Sequence, residues 1–167
     1  MPNPIAGGRD ASDLRVAVVA SRFDKTGGGI VARLCDGAVE AARERGVPDA
    51  QIDVAWVPGA FELPLAAQRL AATGRYDAIA CVGAVIRGET SHFDFVAGGA
   101  ARGIMDVGLQ VGMPVTFGVV TTDTVAQAEA RAGGDVRNSG REAMIAAIEM
   151  ALLLQAVDCL AEPPTGE

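Results

Sequence analysis

Four short runs of small apolar residues recur along the chain without alternating polar positions, and each is followed by a stretch with helical spacing. The longest, residues 78–86 (AIACVGAVI), contains no polar side chain at all, the pattern of a parallel strand buried on both faces. It breaks into Arg87-Gly88-Glu89-Thr90, followed by Ser91 and the chain's only histidine, His92. Phe93, Val96, Ala100, Ile104 and Val107 then keep helical spacing, and Ser91 with Asp94 has the spacing of a capping pair. A buried strand thus runs through a glycine turn into a helix amino terminus. That geometry offers backbone N–H groups to an anion, with a titratable imidazole beside them.

The other runs read the same way. Residues 15–20 (RVAVVA) predict the first strand, and three glycines at 27–29 precede a helix from Ile30 to about Arg45, stopped by Gly46 and Pro48. Residues 52–57 predict a second strand, ended by Pro58-Gly59 and followed by a helix to about Ala72. Residues 115–120 (VTFGVV) predict a fourth strand. Thr124 with Gln127 has capping-box spacing for a short helix ending near Gly133. Ser139 with Glu142 has the same spacing, with Ser139 as N-cap of a last helix to about Leu160.

Strand alternating with helix throughout implies a parallel sheet with right-handed crossovers and helices on both faces. The fold class expected is α/β, a three-layer α/β/α sandwich on a four-stranded parallel sheet of the flavodoxin-like kind. One domain spans residues 14–160. Residues 1–13 are expected to be loose or docked on a neighbour, and 161–167 to fray. In such sheets ligands collect outside the carboxyl ends of the strands, which here read SRFD, PGAFE, IRGETSH and TTD.

Composition narrows the partners. The chain has 167 residues, half of them hydrophobic but only 4% aromatic, so the core is mostly Ala, Val, Leu and Ile. So apolar a single domain implies surface committed to subunit contacts. A net charge of −7 with no basic cluster argues against nucleic acid. Cys35, Cys81 and Cys159 stand in apolar contexts without paired spacing, which reads as reduced core thiols and a cytoplasmic setting. No signal peptide and no apolar run approaching a membrane span is apparent.

Each chemical candidate has a bland counterpart. Phe23 and Phe61 lie in strand-end loops and Phe93 adjoins another, so they either stack on a flat ring or pack against a neighbouring subunit. His92 is placed for proton transfer, although a lone histidine is more often structural. Glu62 either caps the helix starting near Ala60 or accepts from sugar-like hydroxyls. Arg131 either complements the end of its short helix or clamps a phosphate. Gly27-Gly28-Gly29 has neither dinucleotide-fingerprint nor P-loop spacing. No metal-ligand cluster and no nucleophile elbow is present.

The segments WVPGAFELPLAA (56–67), GAVIRGETSHFDFVA (83–97), FGVVTTDTVAQAEARAG (117–133) and IEMALLL (148–154), in one order, closely resemble the lumazine synthases of riboflavin biosynthesis. The resemblance implies condensation of a ribitylamino-pyrimidinedione amine with 3,4-dihydroxy-2-butanone 4-phosphate, giving 6,7-dimethyl-8-ribityllumazine without cofactor or metal. By family position Phe23 stacks on the pyrimidine ring, and Ala60, Phe61 and Glu62 hold the ring edge and ribityl hydroxyls. The backbone of Ala84, Val85 and Ile86 reads the pyrimidinedione edge. Glu89 (through its backbone) and Thr90 bind the phosphate, His92 moves protons, Arg131 clamps the phosphate and Phe117 closes the pocket. The resemblance further implies that Phe117 and Arg131 come from the adjacent subunit of a pentamer, with a sixty-subunit shell also allowed.

Three positions depart from that pattern. Asp24 stands where asparagine is usual, residues 25–29 form a longer connection, and Ser139 replaces a customary lysine, removing a cation from the phosphate region. An assembled shell or flavin-binding paralogue without turnover is the alternative these departures favour.

Overall fold

A computed structural model describes residues 1–27, 29–133 and 136–161. Gly28 of the glycine run, residues 134–135 and the tail from 162 onward lie outside the described residues. Four strands, β1 (Val16–Ser21), β2 (Ile52–Val57), β3 (Ala78–Ile86) and β4 (Val115–Thr122), form one parallel sheet in the order β2-β1-β3-β4. The strands coincide with the apolar runs. β4 alone extends two residues beyond expectation, because Thr121 and Thr122 pair with Val85 and Ile86.

Helices cover both faces, as in a flavodoxin-like three-layer sandwich. On one side α1 (Ile30–Glu44) and α5 (Ser139–Ala161) pack over Val16, Val18, Ala20, Ala80 and Val82. On the other, α2 (Leu63–Ala71) and α3 (His92–Val111) pack over Ala17, Val19, Ile79 and Cys81. β1 and β3 therefore present side chains to two cores, which is why their sequences do not alternate. Of the first residues, Ala11 is fully buried and its N–H donates to the Arg45 carbonyl at 3.2 Å.

Several local expectations are corrected. Ser91 does not cap α3: its backbone is near-helical (φ −69°, ψ 1°), its side chain makes no cap bond, and Asp94 is drawn instead to Arg87. Ser139 does not cap α5 but is its first residue. Asn138 Oδ1 accepts from the Arg141 N–H at 3.0 Å while its Nδ2 donates to the Arg33 carbonyl of α1 at 2.9 Å. Glu142 pairs with Arg137. Glu62 makes no cap bond to α2, which begins one residue later after a 3₁₀ turn at Ala60–Glu62. Only Thr124 and Gln127 form the expected box, opening α4 (Val125–Ala130).

Cys35 and Cys81 are buried, but Cys159 is exposed near the end of α5. Within that helix Ser139–Leu160, of mean hydropathy 1.8, is long and apolar enough to cross a membrane, contrary to the sequence expectation. One face packs into the core through Met144, Ala147 and Ile148, as a core helix does. Its other face leaves Met150, Val157 and Leu160 exposed, so α5 is apolar beyond what one chain covers.

Candidate active site

The carboxyl ends of β1 and β3 flank the point where strand order reverses, the usual ligand crevice of such sheets, and that of β2 lies beside β1. Beyond β1, the Arg22 and Phe23 N–H groups donate to the carbonyls of Val57 at 2.7 Å and Pro58 at 3.0 Å. Phe23 is thereby held beside the Ala60–Glu62 turn. Both aromatic side chains stand out: Phe23 is 64% and Phe61 62% exposed. Phe61 lies across α3 at Gly99, where a Cβ would come 2.7 Å from its ring. The glycine is needed for that close approach.

Ala84 is buried and Val85 and Ile86 are half-buried at the end of β3. Glu89, Thr90 and His92 follow, all exposed. Thr90 Oγ1 accepts from the His92 N–H at 3.3 Å, a local turn that sets the histidine on the first position of α3. Because Ser91 supplies no side-chain cap, the start of α3 keeps its attraction for an anion. Lys25 reaches across to this turn: its Nζ would lie 3.6 Å from a Cβ on Gly88.

Phe117 and Arg131 lie elsewhere. They line a groove of about 720 Å³ along β4, the outer strand of the sheet, together with Met105, Arg137, Ser139 and Glu142. None of Phe23, Phe61, Glu62, Glu89, Thr90 or His92 lines it. Arg131 Nη1 donates to the Gln127 carbonyl at 3.0 Å, so part of the guanidinium completes the end of α4. The candidates thus fall into two groups, a strand-end corner and an edge groove.

Arg87 was not singled out by the sequence. Its guanidinium bonds Asp123 beyond β4 at 2.9 Å, reaches Asp94 at 3.4 Å and lies over the Phe93 ring. These contacts hold the Arg87 pKa above its ordinary value, the Asp123 hydrogen bond contributing most. The Asp94 spacing was readable, but Asp123 lies far along the chain. Arg137 in the groove was also missed, for it sits in a loop without periodicity. Among the described residues no group of His, Cys, Asp and Glu side chains clusters as a metal ion would require.

Fold and site together define a parallel α/β protein with a corner of loops at its strand ends and a second groove, lined by Arg131 and Arg137, at one edge. The family profile of 6,7-dimethyl-8-ribityllumazine synthase matches residues 13–155. A 6,7-dimethyl-8-ribityllumazine synthase of Deinococcus radiodurans is 51% identical over 148 residues, covering 89% of this chain and 94% of that one. The chain belongs to the 6,7-dimethyl-8-ribityllumazine synthase family.

Proposed function

We propose that this protein condenses 5-amino-6-(D-ribitylamino)uracil with 3,4-dihydroxy-2-butanone 4-phosphate to 6,7-dimethyl-8-ribityllumazine, releasing phosphate and two waters. The amine adds to the ketone and loses water to give an imine. Enolisation then expels phosphate, and the ribityl-bearing nitrogen closes the ring with loss of the second water. His92 carries the protons, since an imidazole nitrogen can accept a proton and give it back. The turn at Glu89 and Thr90, leading into the start of α3, and the Arg131 guanidinium receive the phosphate. Phe23 supports the pyrimidine ring. Ala60, Phe61 and Glu62 hold the ring edge and ribityl chain, and the backbone of Ala84, Val85 and Ile86 reads the pyrimidinedione. Holding two substrates in register supplies much of the remaining acceleration.

The observation that carries this reading is the separation of Phe117 and Arg131, in the β4 groove, from the corner holding His92. One phosphate serves both groups if the groove of one copy closes over the corner of the next. The working form is then a homo-oligomer, a ring of five with a sixty-subunit shell open to it, acting in the cytoplasm. Exposed Phe95, Met105 and Leu109 on α3 and the uncovered face of α5 support such contacts. Light scattering separates ring from shell.

The reaction is tested by following lumazine formation with both substrates against the uncatalysed rate, alongside His92→Ala and Arg131→Ala. Clear acceleration, cut by both substitutions, supports the synthase. Tight lumazine binding with a rate no better than buffer supports the binding paralogue instead.

A further inference from the structure

We propose that Asp24 is a positioning residue, a remote cap that ties the loop after β1 onto the start of α1 and so fixes Phe23 as the platform for the pyrimidine ring. The role assigned to Phe23 rests on the reaction proposed above. The capping itself rests on hydrogen bonds.

Gly29 immediately precedes α1 in the left-handed region (φ 74°) and has no side chain with which to cap it. Asp24 fills that need from six residues before the first helical residue. Its Oδ2 accepts from the Ile30 N–H at 2.7 Å, and its Oδ1 accepts from the Thr26 N–H at 3.0 Å and the Thr26 hydroxyl at 2.6 Å. The Gly27 N–H closes the turn onto the Asp24 carbonyl at 3.0 Å. Partial burial pushes the carboxyl pKa up, but the bonds from Thr26 and from the Ile30 and Val31 N–H groups outweigh it and hold the pKa below its ordinary value. Phe23 therefore sits between two anchors, its own N–H on Pro58 and the neighbouring carboxylate on α1.

Both oxygens are engaged as acceptors, which only a carboxylate can do. An amide offers one acceptor and turns an NH2 toward donors on its other side. The carboxylate thus supplies the cap that Gly29, with no side chain, cannot. A carboxylate that merely stood near the substrate ring would have the opposite consequence, since neutralising it would leave binding unchanged or improve it.

The probe is 6,7-dimethyl-8-ribityllumazine, titrated by fluorescence against the full-length assembled protein, which needs no turnover. Asp24→Asn and Asp24→Ala are each expected to weaken its binding about fivefold, the scale of one lost helix cap. In the same variants amide exchange at Ile30 accelerates, and KM rises for the pyrimidine substrate but holds for the butanone phosphate. Unchanged or tighter lumazine binding in Asp24→Asn, unchanged exchange at Ile30, or an equal rise of both KM values overturns the proposal. Should Asp24→Ala fail to assemble, Asp24→Asn decides alone. A wild-type protein that binds lumazine without accelerating its formation overturns the proposed reaction and leaves the Asp24 comparison intact.

Discussion

The Arg87 guanidinium lies 4.3 Å from the centre of the Phe93 ring, within cation–π distance. With Asp94 and Asp123 it fastens the first turn of α3, and so His92, to the loop leaving β4. The side chains are substantially exposed, so their ion pairs contribute little to global stability. Their effect falls on geometry. Arg87→Lys keeps the charge but loses the planar fork and its stacking on the ring. Turnover is expected to fall about tenfold while the melting temperature stays within about 3 °C. Unchanged kinetics would show that His92 is held without Arg87.

Gly99 offers a contrasting case on the same helix. Alanine there favours α3 by about 1 kcal/mol of intrinsic propensity. Its Cβ would nevertheless meet the Phe61 ring at 2.7 Å, and that exposed ring can swing aside. Gly99→Ala is therefore expected to leave thermal stability equal or higher while raising KM for the pyrimidine substrate about fivefold. Differential scanning calorimetry and steady-state kinetics on one preparation test both halves.

What was legible in the sequence was what depends on near neighbours. The strands were readable because β1 and β3 show apolar residues on both faces, and the Thr124–Gln127 box formed because both side chains stay with the local backbone, Gln127 Oε1 accepting from the Asp123 and Thr124 N–H groups. The identical spacing at Ser91–Asp94 and Ser139–Glu142 failed for one physical reason. Arg87 takes Asp94, Arg137 takes Glu142, and Asn138 caps α5 while also bonding α1 across 105 positions. The loops of the site could be picked out singly by their place at strand ends. That Phe117 and Arg131 face a different groove from His92 depends on which strand is outermost, and no local pattern records that.

Ser139 lines the groove with Arg131 and Glu142. A lysine there would restore a cation beside the proposed phosphate position. Ser139→Lys is expected to lower KM for the butanone phosphate roughly threefold with kcat unchanged, the modest scale of an exposed charge contact. An unchanged KM would count against a phosphate at this end of the groove.

Burial pushes the Cys81 thiol up to about 12, and burial with a smaller contribution from Asp36 pushes Cys35 up to about 11. Both are protonated in the native state at pH 8, so at most the Cys159 thiol should react with an alkylating reagent until denaturant releases the other two. The linkage has a definite sign. Above the unfolded value of 9.0 the unfolded chain loses thiol protons that the native protein keeps. The contribution of these two thiols to stability is therefore constant well below pH 9 and falls as pH rises through 9 toward the folded values. Chemical denaturation at pH 8 and pH 10 measures the difference, and equal midpoints would refute it.

The division of the site between two grooves makes a prediction that neither groove makes alone. A subunit carrying His92→Ala still presents Phe117 and Arg131, and one carrying Arg131→Ala still presents His92. If each site joins the corner of one copy to the groove of the next, oligomers formed by co-refolding equal amounts of the two variants contain about one intact site in four. Activity should then rise to about a quarter of the wild-type value from two preparations that are each nearly inactive. If both residues serve a site within one chain, every site in the mixture lacks one of them and no activity returns. Mixing the assembled variants without refolding controls for trace contamination, because subunits that do not exchange cannot complement.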